Sequence, residues 1–515
     1  LHPILHSFPT RRSSDLGFDV CIGNPPYVRQ EKIKEFKPKF KEQYQCYTGV
    51  ADLYVYFYER GFQLLKDGGN LAYITSNKWF RANYGVPLRK HIAKNYKIRT
   101  ITDFGELSVF EAATFPMIFI ASKRKVDQQS PLFTQVKSLD PPYPDVQALI
   151  LQSGKTLPGS AIQGSEWVLT DAGVADIFKR MEEVGTPLGE YVEGQLYRGI
   201  VTGFNQAFVI DSAKRAELIA QDPKSAEIIK PLAVGDDVRK WYIRDSNKWL
   251  IFTRRGININ QYPGIKAYLE QWKEDLTPKQ NDSDTKGRKP GRYKWYEIQD
   301  DIAYYRAFET PKIVYPEICK EPRFAFNETG VYTNNKAFII PIKDLYLIGI
   351  LNSNFAWEYV KLACSALGDE NKGGRLMLQW VNFKKLPIPP ASDHDKKAIE
   401  TLVGYILFLA KELKDTPLQG VALADDQLTL SYFEQLVNAL VYELYLPADL
   451  HAHNLNFASL LQAEALPALD HIQGDKLAAL RAICQRLYAT DHPLRHHLSL
   501  LDTIPTIRII EGKKS

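Results

Sequence analysis

The sequence predicts an α/β fold in its first quarter, a mixed α+β region after it and a helical C-terminal region. Short apolar runs alternate with helical periodicity over residues 17–125, aromatic-rich short runs and loops fill residues 191–390, and leucine-periodic helices fill residues 391–515. Residues 126–190, with a proline-rich stretch at 141–144, are predicted to be a connector. A chain of 515 residues is long enough for about three domains.

The α/β prediction rests on six elements in the first part of the chain. An apolar run at residues 18–22, broken by Gly-Asn-Pro-Pro, predicts a buried strand, and a helical face that stops at Gly68-Gly69 predicts the first long helix. The expected elements are strand 18–22, helix 51–66, strand 71–75, helix 86–95, strand 100–104 and strand 115–121. This order favours a mostly parallel sheet, with a hairpin formed by the last two strands.

The cysteine and histidine content, the apolar runs and the net charge argue against several classes of protein. The five cysteines are scattered without a Cys-x-x-Cys pair, which argues against a disulfide framework and favours a reducing, cytoplasmic location. The longest apolar runs fall far short of the ~20 residues of a membrane span, so no membrane partner is expected. Only His91 lies between residues 7 and 393, which argues against a histidine-based triad or metal site, and the net charge of +5 permits a nucleic-acid partner.

The first sixteen residues show no signal-peptide pattern and no periodicity. Residues 6–16 equal an in-frame translation of a DNA-sequencing adapter, so we expect residues 1–16 to be an artefact and not native sequence. A natural basic arm is the alternative. On the first interpretation the native part begins near Gly17, inside a domain, and the chain is N-terminally truncated.

The motif with the clearest chemistry is Asn24-Pro25-Pro26-Tyr27, directly after the first predicted strand. Ligands of open α/β sheets bind at the carboxyl ends of strands. An exocyclic amine on a nucleobase is a poor nucleophile, and it becomes a better one when the Asn24 side-chain oxygen and the Pro25 carbonyl accept its two hydrogens. Two prolines fix the backbone, and Tyr27 can stack on a flipped base. The alternative is a plain turn, since Asn-Pro and Pro-Pro are strong turn formers.

These residues resemble motif IV of the amino-methylating DNA methyltransferases that use S-adenosyl-L-methionine. Asp52-Leu-Tyr, Leu65-Lys-Asp-Gly-Gly69 and Ala72-Tyr-Ile-Thr-Ser-Asn-Lys-Trp79 resemble the Eco57I-like adenine methylases of type IIG restriction–modification systems. Ser108-Val-Phe110 matches the family's second base-stacking position, so the resemblance assigns Phe110 as the partner of Tyr27. It implies that residues 17–125 are the second half of a class I, Rossmann-like methyltransferase sheet, in which Asp19 is structural.

Residues 191–390 resemble the TaqI-like C-terminal specificity domain, which is a target-recognition domain for DNA. The resemblance is carried by these segments: Gly199-Ile-Val-Thr-Gly-Phe-Asn-Gln-Ala-Phe208, Ile229-Lys-Pro-Leu232 with Asp236-Asp237, Thr310-Pro-Lys-Ile313, Asn334-Asn-Lys-Ala-Phe338, Leu351-Asn-Ser-Asn354 and the exit at Pro387. It implies double-stranded DNA as partner, with a fused or separate nuclease as a further option.

The sequence departs from the family at the cofactor loop. The family has a Phe-x-Gly-x-Gly turn near the start of the sheet, whereas this chain has no Gly-x-Gly at all. Asn24 and Pro25 are expected to line the cofactor site, but the main glycine loop is missing, so the chain alone is expected to be inactive.

A basic segment at residues 286–294 is the predicted DNA contact outside the motif. Basic residues neutralise phosphates, and the interleaved glycines and proline favour a loop. The predicted DNA-binding residues are Lys286, Arg288, Lys289, Arg292 and Lys294. A surface loop without a partner is the alternative. Lys32, Lys34, Lys37, Lys39 and Lys41 are equally consistent with a DNA backbone track and with a solvated face.

The sequence therefore predicts a site-specific DNA adenine-N6 methyltransferase of a restriction–modification or phage-defence system. Asn24 and Pro25 grip the amine, Pro26 holds the loop, and Tyr27 and Phe110 stack on the flipped base. Three alternatives stay open: a non-catalytic DNA-binding specificity module, an RNA methyltransferase and a protein-glutamine methyltransferase.

Overall fold

The structure is a computed structural model that describes most of residues 17–511. The residues outside this description are 1–16, 81, 106, 108, 111–114, 126–127, 142, 163–166, 168, 170–171, 282–283, 368–374, 379, 415–420 and 512–515. The predicted artefact segment and Ser108 therefore lie outside the described residues. The chain divides into two compact units, Leu1–Phe178 with Ala366–Arg375, and Lys179–Ser365 with Leu376–Ser515.

The first unit contains a six-stranded sheet and its helices. Its strands are β1 (Phe18–Gly23), β2 (Leu65–Ser76), β3 (Lys97–Asp103), β4 (Pro116–Ser122), β5 (Leu132–Gln135) and β6 (Lys155–Thr156). Its helices are α1 (Lys37–Gln43), α2 (Leu53–Leu64), α3 (Val86–Asn95) and α4 (Val146–Ser153), and α5 (Ala172–Val184) spans the boundary between the units. The predicted strands and helices of residues 18–121 are all present, which confirms the α/β class.

The strand order is β1-β2-β4-β3-β5-β6, and the sheet is mixed. β1 pairs with β2 and β3 pairs with β5 in parallel, whereas β4 is antiparallel to both β2 and β3. The expectation of a mostly parallel sheet is therefore wrong, because β4 returns as the predicted hairpin partner of β3 and inserts beside β2. One consequence is that β1, β2 and β3 all run in the same direction and end at one edge of the sheet.

One face of the sheet forms the core of the first unit. Leu71 and Tyr73 of β2 and Phe119 of β4 alternate onto this face and are buried. Tyr58 of α2 packs on it, with its ring centroid 5.4 Å from that of Tyr73 and 5.6 Å from that of Phe119. Burial of these aromatic side chains fixes the position of α2, and with it the loop that precedes α2.

The opposite face of β1 is open. Phe18, Val20 and Ile22 are 49%, 56% and 81% exposed, so the expectation that this strand is buried is wrong. This face of β1 is uncovered among the described residues, and β1 also lies at the end of the sheet, where only β2 pairs with it. Cys21, on the other face, is half-buried against Tyr73, with its Sγ 3.2 Å from the tyrosine oxygen.

The predicted connector contains part of this sheet. β5 and β6, which follow residue 125, extend the sheet beyond β3, and α5 lies in the last part of the predicted connector. The sheet therefore continues to Thr156, because β5 offers a parallel partner to the free edge of β3.

The second unit contains short strands and many helices. The strands after the first sheet are β7 (Thr186–Pro187), β8 (Tyr197–Arg198), β9 (Val209–Asp211), β10 (Ile229–Ala233), β11 (Lys248–Ile251), β12 (Lys312–Pro316), β13 (Ile318–Cys319), β14 (Ala325–Asn327), β15 (Tyr332–Thr333), β16 (Ala337–Ile340), β17 (Ser365–Leu367), β18 (Arg375–Met377) and β19 (Pro387–Ile388), of which β17 and β18 each contain residues of both units. Two four-stranded sheets, β15-β10-β11-β9 and β14-β12-β16-β8, form its centre.

The helices of this unit lie between these strands and after them. Those before residue 390 are α6 (Leu188–Tyr191), α7 (Asn205–Phe208), α8 (Ser212–Gln221), α9 (Pro263–Glu270), α10 (Lys273–Leu276), α11 (Leu345–Leu351), α12 (Asn354–Ala363) and α13 (Trp380–Phe383). Those after it are α14 (Asp393–Glu412), α15 (Val421–Tyr445), α16 (Pro447–Ala452), α17 (Phe457–Ala463), α18 (Lys476–Leu487), α19 (Pro493–Leu500) and α20 (Pro505–Ile510).

The C-terminal helices are part of the same compact unit as residues 191–365 and 376–390. The Tyr346 hydroxyl of α11 donates to the Pro389 carbonyl at 2.7 Å, and the Asn354 backbone N–H donates to the Asn438 side-chain oxygen of α15 at 2.8 Å. The predicted helical C-terminal region therefore packs against the mixed region before it. In the described part of the chain, no helix combines the length and the apolar character that a bilayer crossing requires.

Candidate active site at the carboxyl ends of three strands

The Asn24–Tyr27 motif follows β1 directly, as the sequence predicts. Pro25 is buried, which fixes the turn, and Asn24 beside it is exposed at the edge of the sheet. Within the described part of the chain, the Asn24 side chain makes no hydrogen bond. Its amide is therefore available to a bound molecule.

Two backbone hydrogen bonds tie this loop to the start of α2. The Leu53 N–H donates to the Val28 carbonyl at 3.0 Å, and the Gln30 N–H donates to the Asp52 carboxylate at 3.0 Å. Burial raises the pKa of the Asp52 carboxyl, while the bond from Gln30 acts in the opposite direction. Since α2 is fixed by the core, these bonds hold the Asn24–Tyr27 loop in one position.

The structure brings the two predicted stacking residues together. The ring centroids of Tyr27 and Phe110 are 6.3 Å apart with an interplanar angle of 57°, and Tyr54 lies 6.1 Å from Tyr27 on another side. The Tyr27 hydroxyl is buried and has no hydrogen-bond partner among the described residues, and burial raises the pKa of this tyrosine. Among the described residues, Tyr27 therefore presents an aromatic ring beside Phe110 and makes no side-chain hydrogen bond.

The ends of β2 and β3 complete this edge of the sheet. The Asn77 side-chain amide donates to the Asp103 carboxylate at 2.9 Å, and the same carboxylate oxygen accepts the Gly105 N–H at 3.0 Å. The Lys78 ammonium lies 5.1 Å from the centroid of the Phe115 ring. Asp103 thus orients the segment that leads to Phe110.

Sequence reasoning did not assign roles to Asn77, Lys78 and Asp103. The available signal was their position, because each lies at or just after the end of a predicted strand on the side where ligands bind. Asp19, expected to be structural, forms an exposed ion pair with Lys66. Such pairs contribute little.

The basic loop at residues 286–294 is present in the second unit, but not all of its cations face solvent. Lys289, Arg292 and Lys294 are exposed, and Lys286 is exposed beside Glu274 with an N–O distance of 2.9 Å. Arg288 is only 3% exposed. The prediction that Arg288 contacts DNA is wrong, because its guanidinium is enclosed and donates to backbone carbonyls of its own chain.

The lysines of residues 32–41, after the Asn24–Tyr27 motif, also differ in whether they are exposed or bound within the chain. Lys37 donates to the Gly49 carbonyl at 2.8 Å and to the Gln30 side chain, which fastens α1 to the loop after it. The other four are exposed; they are Lys32, Lys34, Lys39 and Lys41. Lys37 therefore has a structural role, and the remaining four stay consistent with either interpretation.

Two family models match the chain in the order that the motifs predict. Residues 4–110 match the Eco57I restriction-modification methylase, and residues 230–388 match the TaqI-like C-terminal specificity domain. The first match contains the Asn24–Tyr27 loop and Phe110, and the second contains the basic loop.

Curated relatives extend over most of the chain. It is 27% identical over 427 residues to the type II methyltransferase M.BstVI of Geobacillus stearothermophilus, covering 78% of this chain and 72% of that protein. It is 25% identical over 396 residues to M.PaeR7I of Pseudomonas aeruginosa, covering 73% and 65%. Over 419 residues it is 24% identical to the restriction enzyme and methyltransferase RM.Eco57I of Escherichia coli, covering 74% and 41%.

A solved structure shows the same fold. The type IIL restriction–modification enzyme MmeI, solved in complex with DNA, aligns with a TM-score of 0.54 at 16% identity, covering 83% of this chain and 54% of that one. The chain thus spans about half of that protein and about two thirds of M.PaeR7I. The chain carries an Eco57I-type methylase segment followed by a TaqI-like specificity domain, and it is a relative of the type II methyltransferases of restriction–modification systems.

Proposed function

We propose that this chain contains the target-base site and the recognition domain of a site-specific DNA adenine-N6 methyltransferase. The observation that carries the proposal is the loop at residues 24–27. Asn24 presents an exposed amide without a hydrogen bond to any described residue at the carboxyl ends of the strands, and the Tyr27 and Phe110 rings lie next to each other. The relationship to restriction–modification methylases supports the reaction class.

The amine of a flipped adenine is the group that fits Asn24 and Pro25. The Asn24 side-chain oxygen and the Pro25 carbonyl accept its two hydrogens, which favours a pyramidal nitrogen with an available lone pair. Because Pro25 is buried and Pro26 follows it, the carbonyl between them cannot rotate away. S-adenosyl-L-methionine, when bound, supplies the methyl group.

Tyr27 and Phe110 are proposed to hold the flipped base between them. A base stacked on both faces requires about 7 Å between the two rings, twice an ordinary contact distance. The rings are 6.3 Å apart and inclined by 57°, so they must turn towards parallel when a base enters. Stacking on one aromatic face contributes about 1–3 kcal/mol per base.

The residues of this chain fit the target amine better than they fit the cofactor. The sequence has no Gly-x-Gly turn of the kind that lets a backbone approach the cofactor closely. We propose instead that β1 is an internal strand in the active protein, as in the second half of a class I methyltransferase sheet. Parallel strands are normally covered on both faces, and Phe18, Val20 and Ile22 are apolar and exposed. Methyl transfer then requires a cofactor-binding polypeptide along this edge.

Double-stranded DNA is the proposed partner of the second unit. The match to a TaqI-like specificity domain covers residues 230–388, which include the exposed cations of the basic loop. Exposed lysines and arginines on an ordered loop suit phosphate contacts.

The experiment that tests the proposal is methylation of host DNA by the gene product. The chain is supplied with a cofactor-binding methyltransferase segment and expressed in a host without adenine methylation, and the DNA is digested and analysed by mass spectrometry and long-read sequencing. We expect N6-methyladenine at one recurring sequence, and far less of it with Asn24→Ala.

A non-catalytic DNA-specificity module is the second candidate. It is favoured by the lack of a Gly-x-Gly turn in the sequence. It predicts duplex binding that weakens steeply with salt, and no methylated base even when a cofactor-binding methyltransferase segment is supplied.

A further inference from the structure

The basic loop of the second unit is folded around one buried arginine. The Arg288 guanidinium donates to four backbone carbonyls, which belong to Leu276 (2.7 Å), Thr202 (2.8 Å), Trp295 (2.9 Å) and Lys294 (3.4 Å). These carbonyls come from three separate stretches of chain. The flat guanidinium also lies 4.6 Å from the Tyr293 ring centroid. Burial lowers the pKa of Arg288 to about 10, so it still carries its charge at neutral pH.

Two glycines allow the chain to approach this arginine closely. Gly203 has φ +81°, and a Cβ there would lie 2.8 Å from the Arg288 Cδ. Gly287 has φ +105°, and a Cβ there would lie 2.5 Å from the Thr277 carbonyl oxygen. Both positions therefore require glycine for two reasons, the backbone angle and the lack of space. The two glycines therefore allow the close packing around Arg288, and one of them, Gly203, belongs to the Gly199–Phe208 segment.

Further bonds fix the returning half of the loop. The buried Glu297 carboxylate accepts the Lys294 N–H and the Gly256 N–H, each at 2.9 Å. Arg255 donates to the Gln299 carbonyl at 2.8 Å and to the Arg292 carbonyl at 3.5 Å. The segment before and after the tip is thus fastened to three neighbouring loops, whereas residues 289–292 at the tip are all exposed.

We infer that Arg288 is a positioning residue which holds Lys289 and Arg292 as a preformed DNA contact. This inference rests on the proposed DNA-binding function. The tip carries two exposed cations on a short turn with Pro290 and Gly291, and its base is held by bonds that leave it little freedom. A loop ordered before binding loses less conformational entropy when it meets DNA. Arg288 therefore acts on DNA affinity through Lys289 and Arg292, without touching DNA.

Lysine cannot replace arginine at this position. The four carbonyls lie around a planar fork with five N–H donors, whereas an ammonium group has three donors at one point. Arg288→Lys keeps the charge and loses most of the bonds. We expect it to release the tip while the net charge of the protein stays the same.

The test is a double-mutant cycle on DNA binding with the full chain. The probe is the duplex that the wild-type protein enriches from a pool of randomised duplexes, and affinity is measured by fluorescence anisotropy between 50 and 200 mM salt. The variants are Arg288→Lys, the pair Lys289→Gln with Arg292→Gln, and all three changes together. The control pair is Lys397→Gln with Lys411→Gln, two exposed cations on α14.

We expect Arg288→Lys to weaken binding by about tenfold in the wild-type background and to have no further effect once Lys289 and Arg292 are replaced. The Lys289–Arg292 double change should make the salt dependence shallower by about 1.8, the slope expected for two phosphate contacts. The control pair should leave the slope unchanged. Thermal melts of every variant report whether the fold is kept.

An equal loss in both backgrounds, or no loss from Arg288→Lys, would overturn the inference. If no duplex is enriched by the wild-type protein, the proposed DNA-binding function fails instead. If Arg288→Lys does not fold, Gly203→Ala takes its place, because the added Cβ strains the same packing from the other side, and its results are read in the same way.

Discussion

Two loops of this chain were predicted to contact DNA, and they differ in how well the sequence describes them. In the loop at residues 24–27, the Asn24 side chain is exposed and makes no hydrogen bond to a described residue, and the Tyr27 and Phe110 rings lie 6.3 Å apart between centroids. In the loop at residues 286–294, the central arginine is inside the protein. A motif predicts a role for each of its residues, whereas a run of basic residues predicts only that the segment is positively charged. Which cations of such a run are exposed depends on the fold of the loop.

The largest expected effect is at Asn24. Asn24→Ala removes an acceptor from the reacting amine, and we expect the rate of DNA methylation to fall by about 10²–10³-fold, as when a single catalytic hydrogen-bonding group is lost. Asn24→Asp keeps an acceptor oxygen and should lose less. The rates are measured by transfer of labelled methyl groups to duplex DNA. Equal rates for Asn24→Ala and the wild type would contradict the assignment.

The second prediction compares the two faces of the sheet. Leu71→Ala, on the buried face, should lower the free energy of unfolding by about 2–5 kcal/mol. Ile22→Lys, at a side chain that is 81% exposed, should change it by less than about 0.5 kcal/mol and yet abolish methylation, because the proposed cofactor-binding polypeptide covers that face. Denaturant melts measure the change in the free energy of unfolding, and methylation assays measure the loss of activity. A variant Ile22→Lys that methylates DNA at the normal rate would show that this face is not covered.

The third prediction concerns Tyr27. Tyr27→Ala removes the stacking surface and should weaken transition-state binding by about 1–3 kcal/mol, seen in kcat/KM. Tyr27→Phe keeps the ring and removes a buried hydroxyl without a partner among the described residues, so it should retain activity and be at least as stable. Loss of activity in Tyr27→Phe would mean that the hydroxyl acts in the reaction.

The smallest expected effect is the pH dependence of stability that comes from Lys312, a second buried cation in residues 230–388. It donates to the Phe308 carbonyl at 2.7 Å and to the Asn327 side chain at 2.9 Å, and burial lowers its pKa to about 8. Between pH 8 and the ordinary lysine pKa the unfolded chain binds more protons, so stability rises with pH, by at most about 1.4 kcal/mol per pH unit. We expect the free energy of unfolding, measured by denaturant melts, to rise between pH 8.5 and 9.5 in the wild type and not in Lys312→Met. Equal pH dependence in the two proteins would contradict it.

The fold of the first unit follows from local signals to a large extent. The helix Val86–Asn95 lies where periodicity places it, whereas β2 contains the expected strand 71–75 but begins at Leu65, before the Gly68-Gly69 pair that was expected to end the helix. The exposed state of β1 does not follow, because an apolar run is the same in a covered strand and in an edge strand. The sheet order with β4 beside β2 is likewise a tertiary property that no local pattern encodes.

The sites show the same division. Asn24, Tyr27 and Phe110 could be proposed from the sequence because a motif and a family resemblance name them one by one. Arg288 was misjudged because the carbonyls of Leu276, Thr202 and Trp295 that hold it are distant from it in sequence or carry no side-chain signal. Asp103 was passed over because its role depends on Asn77 from a different strand.

The central claim is that the loop at residues 24–27 holds the amino group of an adenine in DNA for methylation. The most direct measurement is mass spectrometry of the nucleosides from DNA of a host that expresses the chain together with a cofactor-binding methyltransferase segment, for wild type and Asn24→Ala side by side. We expect N6-methyladenine with the wild-type chain and far less with the variant. A methylated base other than N6-methyladenine, or equal N6-methyladenine from both genes, would contradict it.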